Sequence, residues 1–163
     1  MRPHEIFAAM PPDQASAFFE TLADQCPGIF QQAVHAAALA MNSRPQFLLR
    51  QPLDKRGAAV RRTLARVASG ALAEEVLAAY FLECRKKVLV AWLDRLGLEH
   101  EDGVLEEESP ACPADEKLAK AVAGFLGRSK DSDRPLVLAA FAAQSAIDWP
   151  ALDALVESAR ASA

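Results

Sequence analysis

The chain is short of nearly everything that would announce a chemistry. Among 163 residues there are three cysteines, three histidines and one tyrosine. Cys26, Cys84 and Cys112 are odd in number, widely spaced and without a Cys-x-x-Cys pair, so neither a disulfide framework nor a zinc site is suggested. That cysteine usage fits a reducing compartment. The longest clean apolar run, 88–93, falls far below the roughly 20 residues a membrane helix needs, and Met1-Arg2-Pro3-His4-Glu5 lacks the charged-then-apolar layout of a signal peptide. A cytosolic location is the expectation. β-Branched residues are also few, which argues against a sheet framework.

What is present is alanine, leucine and punctuation. With 52% apolar and 25% charged residues, the composition is that of an ordinary globular protein long enough to bury a core. Between residues 72 and 96, Val76, Leu77, Tyr80, Phe81, Cys84, Val88, Trp92 and Leu96 recur at spacings of three and four, the period of one helix with a broad apolar face. Proline and glycine cut the remainder into segments, since proline is well tolerated only in the first helical turn or outside it. Helices are therefore expected over 3–10, 12–25, 29–41, 53–69, 72–96, 115–126, 135–146 and 150–160. Gly97 suits the C-terminal cap of the long helix and Asp148 the N-cap of the last. The resulting fold class is all-α, an irregular bundle of about seven to eight helices with the 72–96 helix as its spine.

Charge is unevenly spread, although the net charge is only −4. Between Arg44 and Arg66 there are seven basic residues (Arg44, Arg50, Lys55, Arg56, Arg61, Arg62, Arg66) against the single acid Asp54. Between Glu99 and Glu108 six acids occur without a lysine or arginine. The acidic stretch, with Gly103 and two following prolines, reads as a connecting loop over 99–113. It would join an N-terminal helical block, 1–98, to a C-terminal block, 114–163, the two packing as one domain. A faint internal similarity links the blocks: Ala91-Trp92 followed by Leu98-Glu99-His100 matches Ala140-Phe141 followed by Ile147-Asp148-Trp149 in spacing.

Motifs for catalysis or ligand binding do not assemble. His100 within Glu99-His100-Glu101-Asp102 has metal-binding residue types, but consecutive side chains do not converge on one ion without a tightly folded loop, and no Glu-x-x-His pattern is present. Gly124-Phe125-Leu126-Gly127-Arg128-Ser129-Lys130 lacks the spacing and the strand framework of phosphate loops and KH turns; Gly127 is expected to end a helix before a polar loop over 128–133. The dipeptides Cys26-Pro27 and Cys112-Pro113 constrain haem ligation too little to imply it. No Gly-x-Ser-x-Gly elbow occurs. The motifs of TetR-like regulators, helical repeats and ferritin-like bundles are missing too.

The best functional lead is the helix over 53–69. At about 100° per residue, Leu53, Val60, Leu64 and Val67 share one side while Lys55, Arg62 and Arg66 gather on the other. Like charges one turn apart repel unless something anionic covers them. The sequence therefore points to a non-enzymatic helical module that binds another protein or itself, with Lys55, Arg62, Arg66, Glu106 and Glu107 as its interaction surface. No cofactor, no metal and no membrane partner are expected. Nucleic-acid binding through the basic helix is the first alternative, and a small-ligand binder or enzyme with an unrecognised pocket the second.

Overall fold

The computed structural model describes residues 1–127 and 133–161. The chain is all-α, about 73% helical and 3% strand. It divides into two compact units, Arg2–Cys84 and Arg85–Ala163, the latter together with Met1.

The N-terminal unit consists of α1 (Pro3–Ala9), α2 (Pro12–Gln25), α3 (Pro27–Ala40), α4 (Pro45–Leu49), α5 (Leu53–Leu64), a 3₁₀ turn (Val67–Ser69), α6 (Gly70–Ala79) and a π-helical segment (Tyr80–Cys84). Proline opens the first four helices, where its fixed φ is already helical and its missing N–H would have had no partner. The core is aromatic. Phe18 stacks on Tyr80 at 4.1 Å, Phe7 meets Phe18 edge-on at 5.7 Å, and Phe19 and Phe81 extend the cluster at 5.1 Å from Phe18 and 5.2 Å from Tyr80. All five rings are buried. Gly57 permits the close approach of α5 to α2, because a Cβ there would lie 3.3 Å from the Phe19 Cβ.

The C-terminal unit contains α7 (Lys86–Leu96), a hairpin of β1 (His100–Glu101) and β2 (Val104–Leu105), then α8 (Asp115–Leu126), α9 (Asp133–Ala142) and α10 (Pro150–Ala161). Its core centres on Trp92, fully buried against Phe125 at 5.2 Å and Phe141 at 6.0 Å, with Trp149 next to Phe141 at 5.6 Å. Gly97 ends α7 in the left-handed conformation, φ +73°. Its N–H bonds to Asp94 O and that of Leu98 to Leu93 O, the paired bonds of a Schellman cap.

Several expectations are corrected. The 72–96 segment is not one helix: it is α6, the π segment and α7, broken at Arg85 with φ −129° and ψ 30°. The buried residues explain why. Ala73, Val76, Leu77, Tyr80 and Phe81 form one stripe, and Leu89, Trp92, Leu93 and Leu96 another. On an uninterrupted helix these stripes would point about 150° apart. One straight rod would turn its second stripe away from the face that its first one buries. The break and the short α4, which is too brief to show a period, raise the helix count from the expected seven to eight to ten among the described residues.

Residues 99–113 also differ from the expected connecting loop, for the units divide at Cys84 and Arg85 instead. The stretch belongs wholly to the C-terminal unit, where the Trp149 indole N–H donates to Pro110 O at 3.0 Å and buries the proline. The 91–100 and 140–149 stretches diverge as well, the first leading into the hairpin and the second into α10. Trp149, not Asp148, precedes α10 and accepts its first N–H groups. Gly127 does follow the end of α8; the polar loop expected after it falls mainly on 128–132, outside the described residues.

Trp92→Ala should destabilise the C-terminal unit by about 3–5 kcal/mol, measured by denaturant unfolding, because removal of a fully buried indole leaves a cavity between Phe125 and Phe141. An unchanged midpoint would refute this packing. A glutamate-specific protease should cut first after Glu106, Glu107 or Glu108, which are exposed and non-helical, since unpacked turns open most readily. First cleavage at a glutamate inside α2, α6 or α10 would contradict that ranking.

Candidate interaction surface

α5 follows simple electrostatics: Asp54 sits in its first turn and Arg61 and Arg62 in its last, each sign at the helix end that favours it. Val60, Thr63 and Leu64 are buried, and the Thr63 hydroxyl donates to Ala59 O at 3.1 Å. Leu53 is half-buried. Val67 is not on the buried side as the helical period implied: α5 stops at Leu64, Arg66 is extended at ψ 142°, and Val67 is 72% exposed.

The structure divides the basic residues by role. Arg61 donates from Nε to Phe7 O at 3.1 Å and from Nη2 to Ala8 O at 3.4 Å, capping the C-terminal carbonyls of α1. The Arg56 guanidinium lies over the Phe30 ring at 5.5 Å, a cation–π contact that joins α5 to α3. Lys55, Arg62 and Arg66 are exposed, as are Arg44 and Arg50. None of these five enters an ion pair among the described residues.

The acidic segment is more ordered than a hydrated loop. His100 pairs with Leu105 and Glu101 with Val104 in antiparallel register, and the intervening Asp102 and Gly103 both have positive φ, 53° and 94°. That is the two-residue turn whose backbone twist matches a hairpin. The His100 Nε2 lies 3.1 Å from Asp94 Oδ1 while its Nδ1 accepts from the Gly103 N–H at 3.4 Å, so the imidazole braces the hairpin against α7. Lys86 pairs with Asp102 at 3.6 Å. Glu106 and Glu107 remain exposed; the Glu106 N–H bonds to Glu99 O. Among the described residues, no three His, Cys, Asp or Glu side chains converge as metal ligands would, and no helix is long and apolar enough to cross a membrane.

Other open features are shallow. A groove of about 490 Å³ between α2 and α5 is lined by Pro12, Ser16, Phe19, Glu20, Asp54 and Arg61, among others. Arg95, Lys117 and Lys120 border a wider depression on α7 and α8. The Arg95 guanidinium occupies the space over Gly124 that a side chain there would need.

Five large apolar side chains are exposed among the described residues: Leu39, Met41, Phe47, Val67 and Val104. Four lie within residues 39–67, the stretch that carries the basic run, and the fifth sits in the acidic hairpin. Sequence periodicity missed this coincidence, because Leu39, Met41 and Phe47 fall at a helix end and in α4, where no repeat marks which side faces outward. It also missed the approach of Cys26 and Cys84, 58 residues apart, to an Sγ–Sγ distance of 3.5 Å.

No family model matches this chain, and no curated protein or solved structure matches it significantly.

Arg61→Ala should lower stability by about 1–2 kcal/mol, since it removes charged donors from α1 carbonyls. Arg62→Ala should leave the unfolding midpoint nearly unchanged, because its side chain is exposed. Equal effects of the two substitutions would contradict this division of roles.

Proposed function

We propose that the chain is a non-enzymatic helical protein-interaction module, recognising an acidic and partly apolar protein surface through its basic segment. Lys55, Arg62 and Arg66 supply the charge, and the acidic hairpin with Glu106 and Glu107 forms a second recognition surface of opposite sign. The observation that carries the reading is the coincidence of exposed apolar side chains with both charged segments. Solvated charge alone requires no neighbouring Val67 or Phe47 in water. Interfaces combine the two, with apolar anchors providing contact area and the charges providing steering and register.

A nucleic acid would satisfy the cations but leave the aliphatic residues unmatched, since phosphate contacts dominate such binding. The protein reading is therefore preferred. The opposite signs of the two surfaces also make a second copy of the chain a possible partner.

Charge reversal at Lys55, Arg62 and Arg66, each to Glu, should abolish partner capture or self-association and leave helicity intact, because Glu is a good helix former in place of Lys55 and Arg62, and Arg66 lies outside the helix. Pull-down, sedimentation and circular dichroism of parent and variant read this out. Retention of every partner and of the oligomeric state would overturn the proposal. Binding of the parent to generic DNA or RNA that weakens steeply with salt, and is lost in the variant, would favour the nucleic-acid alternative instead.

A further inference from the structure

Cys26 occupies the corner between α2 and α3. Its N–H bonds to Leu22 O at 2.8 Å, its carbonyl accepts from Phe30 N–H at 3.2 Å, and Pro27 fixes the start of α3 immediately after it. Cys84 ends the π segment, directly behind the buried Tyr80 and Phe81. Both thiols are thus carried on hydrogen-bonded or packed backbone of one unit, and both side chains are half-buried, open enough for a small oxidant. Their sulfurs stand 3.5 Å apart. A disulfide bond of about 2.05 Å requires a further approach of about 1.5 Å, within the reach of side-chain rotation and a slight backbone adjustment.

We propose that Cys26 and Cys84 are a dithiol modification site, oxidised by hydrogen peroxide to an intramolecular disulfide and returned to thiols by a dithiol reductant that is itself oxidised to a disulfide. One thiolate attacks a peroxide oxygen, the O–O bond breaks, and hydroxide leaves to give a sulfenic acid. The second thiolate attacks that sulfur, the S–O bond breaks with loss of water, and the S–S bond forms. Two electrons pass from the sulfurs to the peroxide, and the two thiol protons end in the two waters. Desolvation, followed by the charge of Asp115, pushes the Cys112 thiol up from the ordinary range, which lowers its thiolate fraction. Closure of the 58-residue span restricts the unfolded chain and so raises thermal stability.

The test uses the full-length reduced chain, treated with hydrogen peroxide, alkylated, digested without reductant and mapped by mass spectrometry. The expected result is one Cys26–Cys84 linked peptide, alkylated Cys112, and a melting midpoint raised by on the order of 10 °C, all reversed by dithiothreitol. Cys112→Ser should behave like the parent, whereas Cys84→Ser should accumulate a Cys26 sulfenic acid that dimedone traps. Cys26 and Cys84 that both stay alkylatable in the parent and in Cys112→Ser, or that link to Cys112 or between chains, would overturn the proposal. Equal dimedone labelling of Cys26 in the parent and in Cys84→Ser would do the same.

Discussion

The segment from Gly70 to Leu96 has to serve two cores, and the organisation of the molecule depends on how it does so. Its first half buries Tyr80 and Phe81 with Phe7, Phe18 and Phe19; its second buries Trp92 with Phe125 and Phe141. Each half has a complete i, i+3, i+4, i+7 stripe, but the two are out of phase on a common helix. The π segment and the break at Arg85 separate the two stripes. Each unit then closes on aromatic rings of its own, whose burial is the dominant favourable term in its folding.

The same economy governs the charges. Arg56 and Arg61 lie on the half-buried flank of α5 and are consumed by local structure, one on an aromatic face and one on the last carbonyls of α1. Arg62 and Arg66 differ from them in position, not in chemistry, and remain in solvent. A basic run is thus two populations, and only the exposed one is available to a partner. In the acidic segment the division is similar: Asp102 serves the hairpin turn and meets Lys86, while Glu106 and Glu107 face outward.

Much of the helical architecture was legible from composition and punctuation. α2 and α8 have the boundaries the sequence implied, because Pro12 opens the first and Asp115 and Gly127 bracket the second. The left-handed Gly97 followed from the same rules. The long helix was misread because a spacing of four from Tyr80 to Leu96 threads through Cys84 and Val88, which are only half-buried; the two tighter stripes were hidden beneath it. The hairpin had a signal in Asp102-Gly103, the commonest kind of tight turn pair, obscured by the acidic run around it. The exposure of Lys55 and Arg62 could be read from helical phase, but that of Arg66 and Val67 could not, since both lie past the end of the helix that phase assumes. The proximity of Cys26 and Cys84 is tertiary, with no local pattern to reveal it.

The contact of Gly57 with Phe19 has a consequence for recognition. A side chain there would place its Cβ 3.3 Å from the Phe19 Cβ, so glycine lets α5 lie closer to α2 than a larger residue would. Val60, Thr63 and Leu64 hold the buried side of α5, and Lys55 and Arg62 project from its outward side. For the proposed interaction, side chains carried on a packed helix would leave little backbone to order on docking, which lowers the entropic cost of association. A modest contact area would then suffice for the proposed complex.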